Sequence, residues 1–171
     1  MADQSDAHLI ETKLKGQALF SGSFLHAFLD TVALPDGTQA TREYVVHPGA
    51  VMVVPLLELP GQPLQLVMER QFRYPVQQVM LEFPAGKLDP RESTLQCAKR
   101  ELFEETGYSA KQWAKAGVMH PVISYSTEFI EIWFAIGDFA FEAGFLQCFR
   151  CHGDDFQKLT RVELTLTQAE V

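Results

Sequence analysis

The stretch Gly86–Tyr108 reads GKLDPRESTLQCAKRELFEETGY, and its reading decides how the rest of the chain is understood. Asp89-Pro90 breaks the chain, and Ser93 to Thr106 then has helical character. Ser93 is placed to cap the first turn, and Gly107 stands where a C-terminal left-handed glycine belongs. Leu95, Ala98 and Leu102 recur at spacings of three and four and form one apolar face. The other face carries Glu101, Glu104 and Glu105. Glu101 is i,i+3 from the second and i,i+4 from the third, so the three side chains share a face and repel by about a few tenths of a kcal/mol per pair. A cation has to offset that repulsion. Arg100 is one source and a divalent metal is the other, because hard divalent ions take carboxylate oxygens and bridge them to phosphates. Taken alone, the helix also fits a solvated Glu-rich face.

Outward from the helix, the chain reads as strands. Phe20 to Leu34 is rich in Phe, Leu and Val and ends at the turn signal Pro35-Asp36-Gly37. Tyr44 to Leu57 is a second β-rich run, divided by His47-Pro48-Gly49. Pro60-Gly61-Gln62-Pro63 is a further turn, and Leu64–Phe72 and Val79–Phe83 are short strands before the helix. After it, Gly117–Ile123 and Phe129–Ile136 read as strands, with Arg161–Leu166 as the last. Strands, one helix, then strands imply an α+β fold with a mixed sheet, and not a regular βαβ alternation.

A chain of 171 residues has the length of one domain and can bury a core without metal or disulfide staples. With 14 basic and 22 acidic residues it carries a net charge of −8, which argues against nonspecific binding to nucleic acid or to an anionic membrane. It leaves open a phosphate-bearing substrate, because a bound metal or a local basic pocket can reverse the field at one site. The polar, acidic start Met1–Asp6 is not a secretory signal, and the longest apolar run, Ala50–Leu57, is interrupted by Pro55 and too short to span a bilayer. A cytoplasmic protein is expected. Cys97, Cys148 and Cys151 do not make a disulfide framework. Cys148-Phe149-Arg150-Cys151-His152 matches the spacing of a haem-c attachment site, but without an export signal it is read as a loop with incidental thiols, and Cys97 as a small packed residue.

The wider spacing resolves the ambiguity of the helix. It runs Gly86, five residues, Glu92, seven residues, Arg100-Glu101, an apolar residue, any residue, Glu104-Glu105, any residue, Gly107, then Tyr108 at an apolar slot. Seven identities at roughly one in fifteen each make a chance match of about 10⁻⁸. This pattern is the Nudix box, and the chain resembles the Nudix hydrolases, which cleave nucleoside diphosphates linked to another moiety with Mg²⁺ or Mn²⁺. The resemblance implies a Nudix-type mixed β-sheet sandwich carrying the box helix. It implies Glu101 and Glu105 as direct metal ligands, the Ala85 carbonyl as a further ligand, and Glu104 as a ligand of a second ion or of its waters. Arg100 would pair with Glu92 or the helix carboxylates and orient them. Gly86, Glu92 and Gly107 complete the box.

The flanks resemble the ADP-ribose pyrophosphatase branch: Thr41-Arg42-Glu43-Tyr44, His47-Pro48-Gly49-Ala50-Val51, Glu69-Arg70-Gln71-Phe72-Arg73-Tyr74 and Leu81-Glu82-Phe83-Pro84-Ala85-Gly86. That branch implies an N-terminal antiparallel β extension over residues 1–45 that forms a homodimer, and a Nudix domain over residues 46–171. Arg73 and Arg42 match substrate contacts, with Arg70 a weaker candidate, and arginine suits diphosphate oxygens because its planar fork binds them in pairs. Glu82 is a candidate for the ribose or an outer water. Phe24 and Phe28 are either an adenine-stacking face or core. Counting back seven from Ala135 gives Glu128 as the general base or loop metal ligand, with Glu131 as the fallback.

Two stretches depart from the branch. Ser124-Tyr125-Ser126 replaces the usual Ser-Pro-Gly of the catalytic loop, and residues 137–160 lack the family's acidic stretch. Only a stub of helix fits after Val162–Leu166, so a short, atypical C-terminus is expected. The activity implied is Mg²⁺-dependent hydrolysis of ADP-ribose to AMP and ribose 5-phosphate. The alternatives are another nucleotide sugar, such as GDP-mannose, or a Nudix module that binds a nucleotide sugar without hydrolysing it. The partners implied are the small-molecule substrate and a second copy of the chain, with no nucleic acid and no membrane.

Overall fold

The chain is described here from a computed structural model, which covers residues 4–137, 140–141 and 158–163. It divides into two units: residues up to Gly49 with His120–Phe129, and Ala50–Met119 with Ile130 onward. Cys148, Cys151, His152 and the C-terminal stub lie outside the described residues.

The first unit is built on a three-stranded antiparallel sheet, β1 (Thr12–Ser21), β2 (His26–Ala33) and β3 (Gln39–Val46), in that order. The expected turn at Pro35–Gly37 joins β2 to β3, and the Asp36 carboxylate accepts the Thr38 N–H at 2.9 Å. β1 begins well before the expected Phe20. Its residues are all exposed, so no buried face imposes an apolar alternation on Lys13, Lys15, Gly16 and Gln17. The loop His120–Phe129 is tied to the end of β3: the Val45 N–H donates to Tyr125 O at 2.8 Å and the Thr127 N–H donates to Val45 O at 3.0 Å.

The second unit holds β4 (Ala50–Leu57), β5 (Gln65–Arg73), β6 (Gln78–Glu82), β7 (Ala85–Lys87), α1 (Thr94–Thr106), β8 (Tyr108–Ser109), β9 (Gln112–Met119), β10 (Ile130–Gly137), β11 (Ala140–Phe141) and β12 (Lys158–Glu163). Its main sheet runs β12-β5-β4-β10-β9, with β6 added to β5 and β7 to β4. The β10–β4 pair is parallel and its neighbours are antiparallel, so the sheet is mixed, as expected. β8 and β11 form a separate antiparallel pair. The strand expected over Gly117–Ile123 instead ends at Met119, because Pro121 follows and the chain turns, with the Ser126 N–H donating to Val122 O at 3.0 Å.

Alternation along β4 sends Val51, Val53 and Leu57 to one side, where they form a core with Val67, Cys97, Ala98, Leu102, Tyr108 and Ala135. β4 pairs with β7 over Ala50–Met52 and with β5 only over Leu56–Leu57. The Val53 N–H donates toward that edge, to Pro84 O at 2.8 Å. Pro55 has the same parity and falls in the gap between the two partners, where its missing N–H leaves no ladder bond unmade. Among the described residues, no helix is long and apolar enough to cross a membrane.

Candidate active site

The site begins with how α1 is started and seated. The Ser93 hydroxyl accepts the Gln96 backbone N–H while the Gln96 side-chain oxygen Oε1 accepts the Ser93 N–H at 2.9 Å, a reciprocal cap. Gly107 ends the helix at φ 71°. Burial of Cys97, Ala98 and Leu102 fixes the rotation of the helix and sets Glu101 against β7, only 9% exposed. A Cβ on Gly86 would lie 1.9 Å from Glu101 Oε1, so only glycine leaves room for the carboxylate there. Burial raises the Glu101 carboxyl above its usual range, although the Arg100 guanidinium pulls the other way. Glu105 reaches the same strand, where its Oε2 accepts the Ala85 N–H at 3.0 Å.

Arg100 gathers the surrounding charge. Its Nε and one terminal nitrogen donate to the two oxygens of Glu92, each at 2.9 Å, while the other terminal nitrogen donates to Glu101 at 2.7 Å and Glu104 at 3.1 Å. It also donates to Lys87 O at 3.2 Å. This fork holds the Glu92 carboxyl down at about 2, with the Asp89 N–H adding to the effect. The spacing of eight between Glu92 and Arg100 is bridged because Glu92 sits in the turn before the helix, folded back alongside it.

Arg73, at the end of β5, forks onto Glu82 of β6: Nε donates at 2.9 Å and 3.0 Å, and a terminal nitrogen donates at 2.6 Å. Glu82 stabilises the Arg73 charge first, and Glu69 and Glu105 add to it. The Arg73 guanidinium therefore lies in the field of Glu105. Arg70, the weaker candidate, is exposed on β5. Glu131 is almost fully buried on β10 and accepts from Thr94 Oγ1 and, at 2.5 Å, from Lys115 Nζ. Burial pushes its carboxyl up, but Lys115 and Thr94 outweigh that and hold it low. Its oxygens are thus committed to the first residue of α1 and to β9.

The remaining candidates lie in the first unit. Arg42 pairs with Glu11 and donates to Thr41 O at 2.9 Å. The Glu128 carboxylate, 27% exposed, stands 3.7 Å from His47 Nε2. Phe24 sets its ring edge-to-face with His47 at 5.3 Å, and Phe28 stacks on Tyr44 at 5.8 Å.

The NUDIX domain profile matches residues 46–158, about two thirds of the chain. The chain belongs to the NUDIX domain family. It is 35% identical to the ADP-ribose pyrophosphatase of Bacillus subtilis (strain 168) over 127 residues, 74% of this chain and 66% of that protein. It is 36% identical over 129 residues to the methanol dehydrogenase activator of Bacillus methanolicus, covering 74% of this chain and 66% of that protein. It thus spans just under two thirds of the length of these two relatives. A solved structure titled as that of an ADP compounds hydrolase superposes with a TM-score of 0.74 over 90% of this chain and 78% of its own, at 22% identity, and shows the same fold.

Nudix hydrolases generally use a divalent metal. The donor set of the Nudix helix fits such an ion in chemistry: Glu101, Glu104 and Glu105 are hard oxygen ligands crowded on one face, and Arg100 sets its single positive charge against Glu92, Glu101 and Glu104. Among the described residues, no three acidic, His or Cys side chains converge closely enough to hold an ion as they stand. Sequence reasoning passed over one carboxylate of this region. Glu69, 1% exposed, faces inward on β5 in the alternation Gln65, Val67, Glu69, Gln71, and is the cross-strand partner of Glu82. That parity was the available signal. Glu131, expected as the fallback to Glu128, also faces inward, on β10 between Ile130 and Ile132.

Proposed function

We propose that this Nudix protein hydrolyses the diphosphate bond of a nucleoside diphosphate sugar, ADP-ribose first, giving AMP and ribose 5-phosphate. The observation that carries the reading is the seat of the Nudix helix on β7, with Glu101 lying over Gly86, Glu105 on the Ala85 N–H, and Arg73 in the field of Glu105. The names of the relatives support the substrate class: ADP-ribose pyrophosphatase in Bacillus subtilis and ADP-sugar pyrophosphatase in Mus musculus, the latter 39% identical over 80 residues.

Glu101, Glu105 and the Ala85 carbonyl would hold a divalent ion, Mg²⁺ or Mn²⁺, and Glu104 would hold a second ion or its waters. When bound, the metal neutralises the diphosphate and makes a water more acidic. Arg100 orients the helix carboxylates through its fork. Arg73 exchanges part of its pairing with Glu82 for diphosphate oxygens, a bidentate contact its planar group favours. Arg42 is a further substrate contact. Glu128 accepts the proton of the attacking water, whose oxygen bonds to one phosphorus as the bridging P–O bond breaks and its electrons leave with the departing phosphate. Positioning and electrostatics supply the rate, and no covalent intermediate is needed.

The same reading includes a homodimer in which the N-terminal strands of one copy cover those of another, supported by the exposed Leu14, Leu19 and Phe20 of β1. It includes a cytoplasmic setting, with which the free, buried Cys97 is in keeping. The test is chromatography of products after incubation with ADP-ribose, GDP-mannose, UDP-glucose and diadenosine polyphosphates, with and without Mg²⁺. AMP and ribose 5-phosphate released fastest from ADP-ribose, and only with metal, support the proposal. Faster turnover of another substrate moves the specificity, and nucleotide binding without turnover under any metal overturns hydrolysis.

A further inference from the structure

The loop that carries Glu128 is held more tightly than its exposed position suggests. Thr127, one residue before it, donates its N–H to Val45 O at 3.0 Å, and its hydroxyl accepts the His47 N–H at 2.9 Å while lying 3.3 Å from His47 O. Phe129, one residue after it, lays its ring against Gly49, where a Cβ would come within 2.4 Å of the ring and where φ is +93°. The Glu128 N–H donates to Ser126 Oγ at 3.1 Å. His120 Nδ1 lies 3.2 Å from the Glu128 carbonyl. The backbone on both sides of Glu128 is thus anchored to the His47-Pro48-Gly49 segment that leads into β4.

His47 is itself fixed. Its side chain is 9% exposed, and Phe24 meets it edge-to-face. Its Nδ1 accepts the Gly49 N–H at 3.1 Å, so the neutral ring carries its proton on Nε2. That nitrogen faces Glu128 Oε1 at 3.7 Å. The separation exceeds a hydrogen bond, so the N–H dipole attracts the carboxylate without a full bond to it, and such contacts shorten when substrate closes a site.

We infer that His47 is a positioning residue for Glu128: its Nε2–H, oriented by the Gly49 N–H, selects the carboxylate direction in which Glu128 accepts a proton from water. The inference rests on the reading of Glu128 as that acceptor. Nothing about His47 as one half of a His-Pro-Gly turn requires its outer nitrogen to face a carboxylate, and an asparagine would cap the Gly49 N–H as well.

A double-mutant cycle tests it, with kcat and KM for ADP-ribose measured under saturating Mg²⁺ alongside the thermal midpoint. Glu128→Gln is expected to lower kcat by about 10²-fold or more. His47→Asn keeps an acceptor for the Gly49 N–H and removes the outer donor. It should lower kcat by about 10-fold with KM unchanged, and its thermal midpoint should fall no further than that of His47→Gln, which loses the same ring contact with Phe24. His47→Gln, whose amide reaches the Nε2 position, should recover most of that loss. The double variant His47→Asn/Glu128→Gln should be no slower than Glu128→Gln alone, because the histidine has then lost the group it positions. Wild-type kcat in His47→Asn, or multiplicative losses in the double variant, while Glu128→Gln is impaired, overturns the role of His47 and leaves Glu128 standing. Wild-type kcat in Glu128→Gln overturns the acceptor assignment and this inference together. Should His47→Asn fail to fold, His47→Ser, with its shorter acceptor for the Gly49 N–H, is run through the same cycle and judged by the same outcomes.

Discussion

In α1, Cys97, Ala98 and Leu102 are fully buried, whereas in β1, Leu14, Leu19 and Phe20 are each at least half exposed. Both regions nevertheless contain the same small device, a glycine that makes room for a carboxylate beside a cation. In the second unit it is Gly86, Glu101 and Arg100. In the first it is Gly16, where a Cβ would lie 2.4 Å from Asp30 Oδ1, with Lys13 paired to Asp30 at 2.8 Å and the Tyr44 hydroxyl donating to it at 2.9 Å. The surroundings differ. Around Glu101 the partners among the described residues come from α1, β7 and the turn before the helix. Around Asp30 the sheet stays open along β1. Among the described residues the apolar side chains of β1 have no core against them, while the helix buries Cys97, Ala98 and Leu102 against the sheet of its own unit.

The comparison can be broken in several places. The largest effect is expected at the helix carboxylates. Glu105→Gln or Glu101→Gln should lower kcat on ADP-ribose by about 10²-fold or more, the loss of one preorganised charge-stabilising group, read in steady-state assays. Wild-type turnover would remove that residue from the site. Arg100→Ala leaves Glu92, Glu101 and Glu104 without their shared cation, at a cost of about 2–3 kcal/mol in urea unfolding, below the full value of a buried pair because the arginine side chain is 27% exposed. Gly86→Ala and Gly16→Ala set the two devices side by side. The first should cost about 1–3 kcal/mol and weaken Mg²⁺ binding measured by calorimetry, because the new Cβ overlaps the whole Glu101 carboxylate. The second should cost less, because a single oxygen of the Asp30 carboxylate lies that close and the other overlaps are with the exposed Lys13 end, which can swing away. Equal costs would show that the open sheet is as closely packed as the helix.

Acid should expose the difference again. The Glu92 carboxyl lies at about 2 in the folded chain against 4.5 when free, so its contribution is complete above 4.5 and is lost as the pH falls from there toward 2. Glu101, raised by burial, runs the other way and gains as it protonates. Glu92→Gln should therefore flatten the acid limb of the stability curve measured by circular dichroism, and an unchanged limb would remove Arg100–Glu92 as its source. The smallest effect on folding is expected from Leu14→Gln with Leu19→Gln, within about 0.5 kcal/mol because both positions are exposed. If a second copy covers β1, the same pair lowers the mass seen in sedimentation, and an unchanged mass argues against that interface.

The helix was legible because its reasons are local. The cap at Ser93, the stop at Gly107 and the buried face of Ala98 and Leu102 all follow from spacing, as does the shared face of the three glutamates. The mixed sheet and the turns at Pro35–Gly37 and Pro60–Pro63 were legible for the same reason. β1 was not, because an exposed strand has no burial period to read. β9 was placed too late, because its apolar residues were sought past a proline that ends it. Within the site, spacing could not reveal that Glu131 would be committed to Thr94 and Lys115, or that Arg73 and Glu82 would meet across a hairpin, since those contacts depend on register between strands.

Pro55 has a consequence for register of that kind. It stands in β4 where the pairing partner changes from β7 to β5, and it offers no donor to either. Neither neighbour can lengthen its ladder through that point or slide along β4 without meeting it. The proline works as a punctuation mark in the sheet: it stands where β7, paired over Ala50–Met52, has given way to β5, and in that register Gly86 stands opposite Val51 and beneath the Glu101 carboxylate. A residue that touches none of the chemistry thereby spells out where the chemistry is assembled.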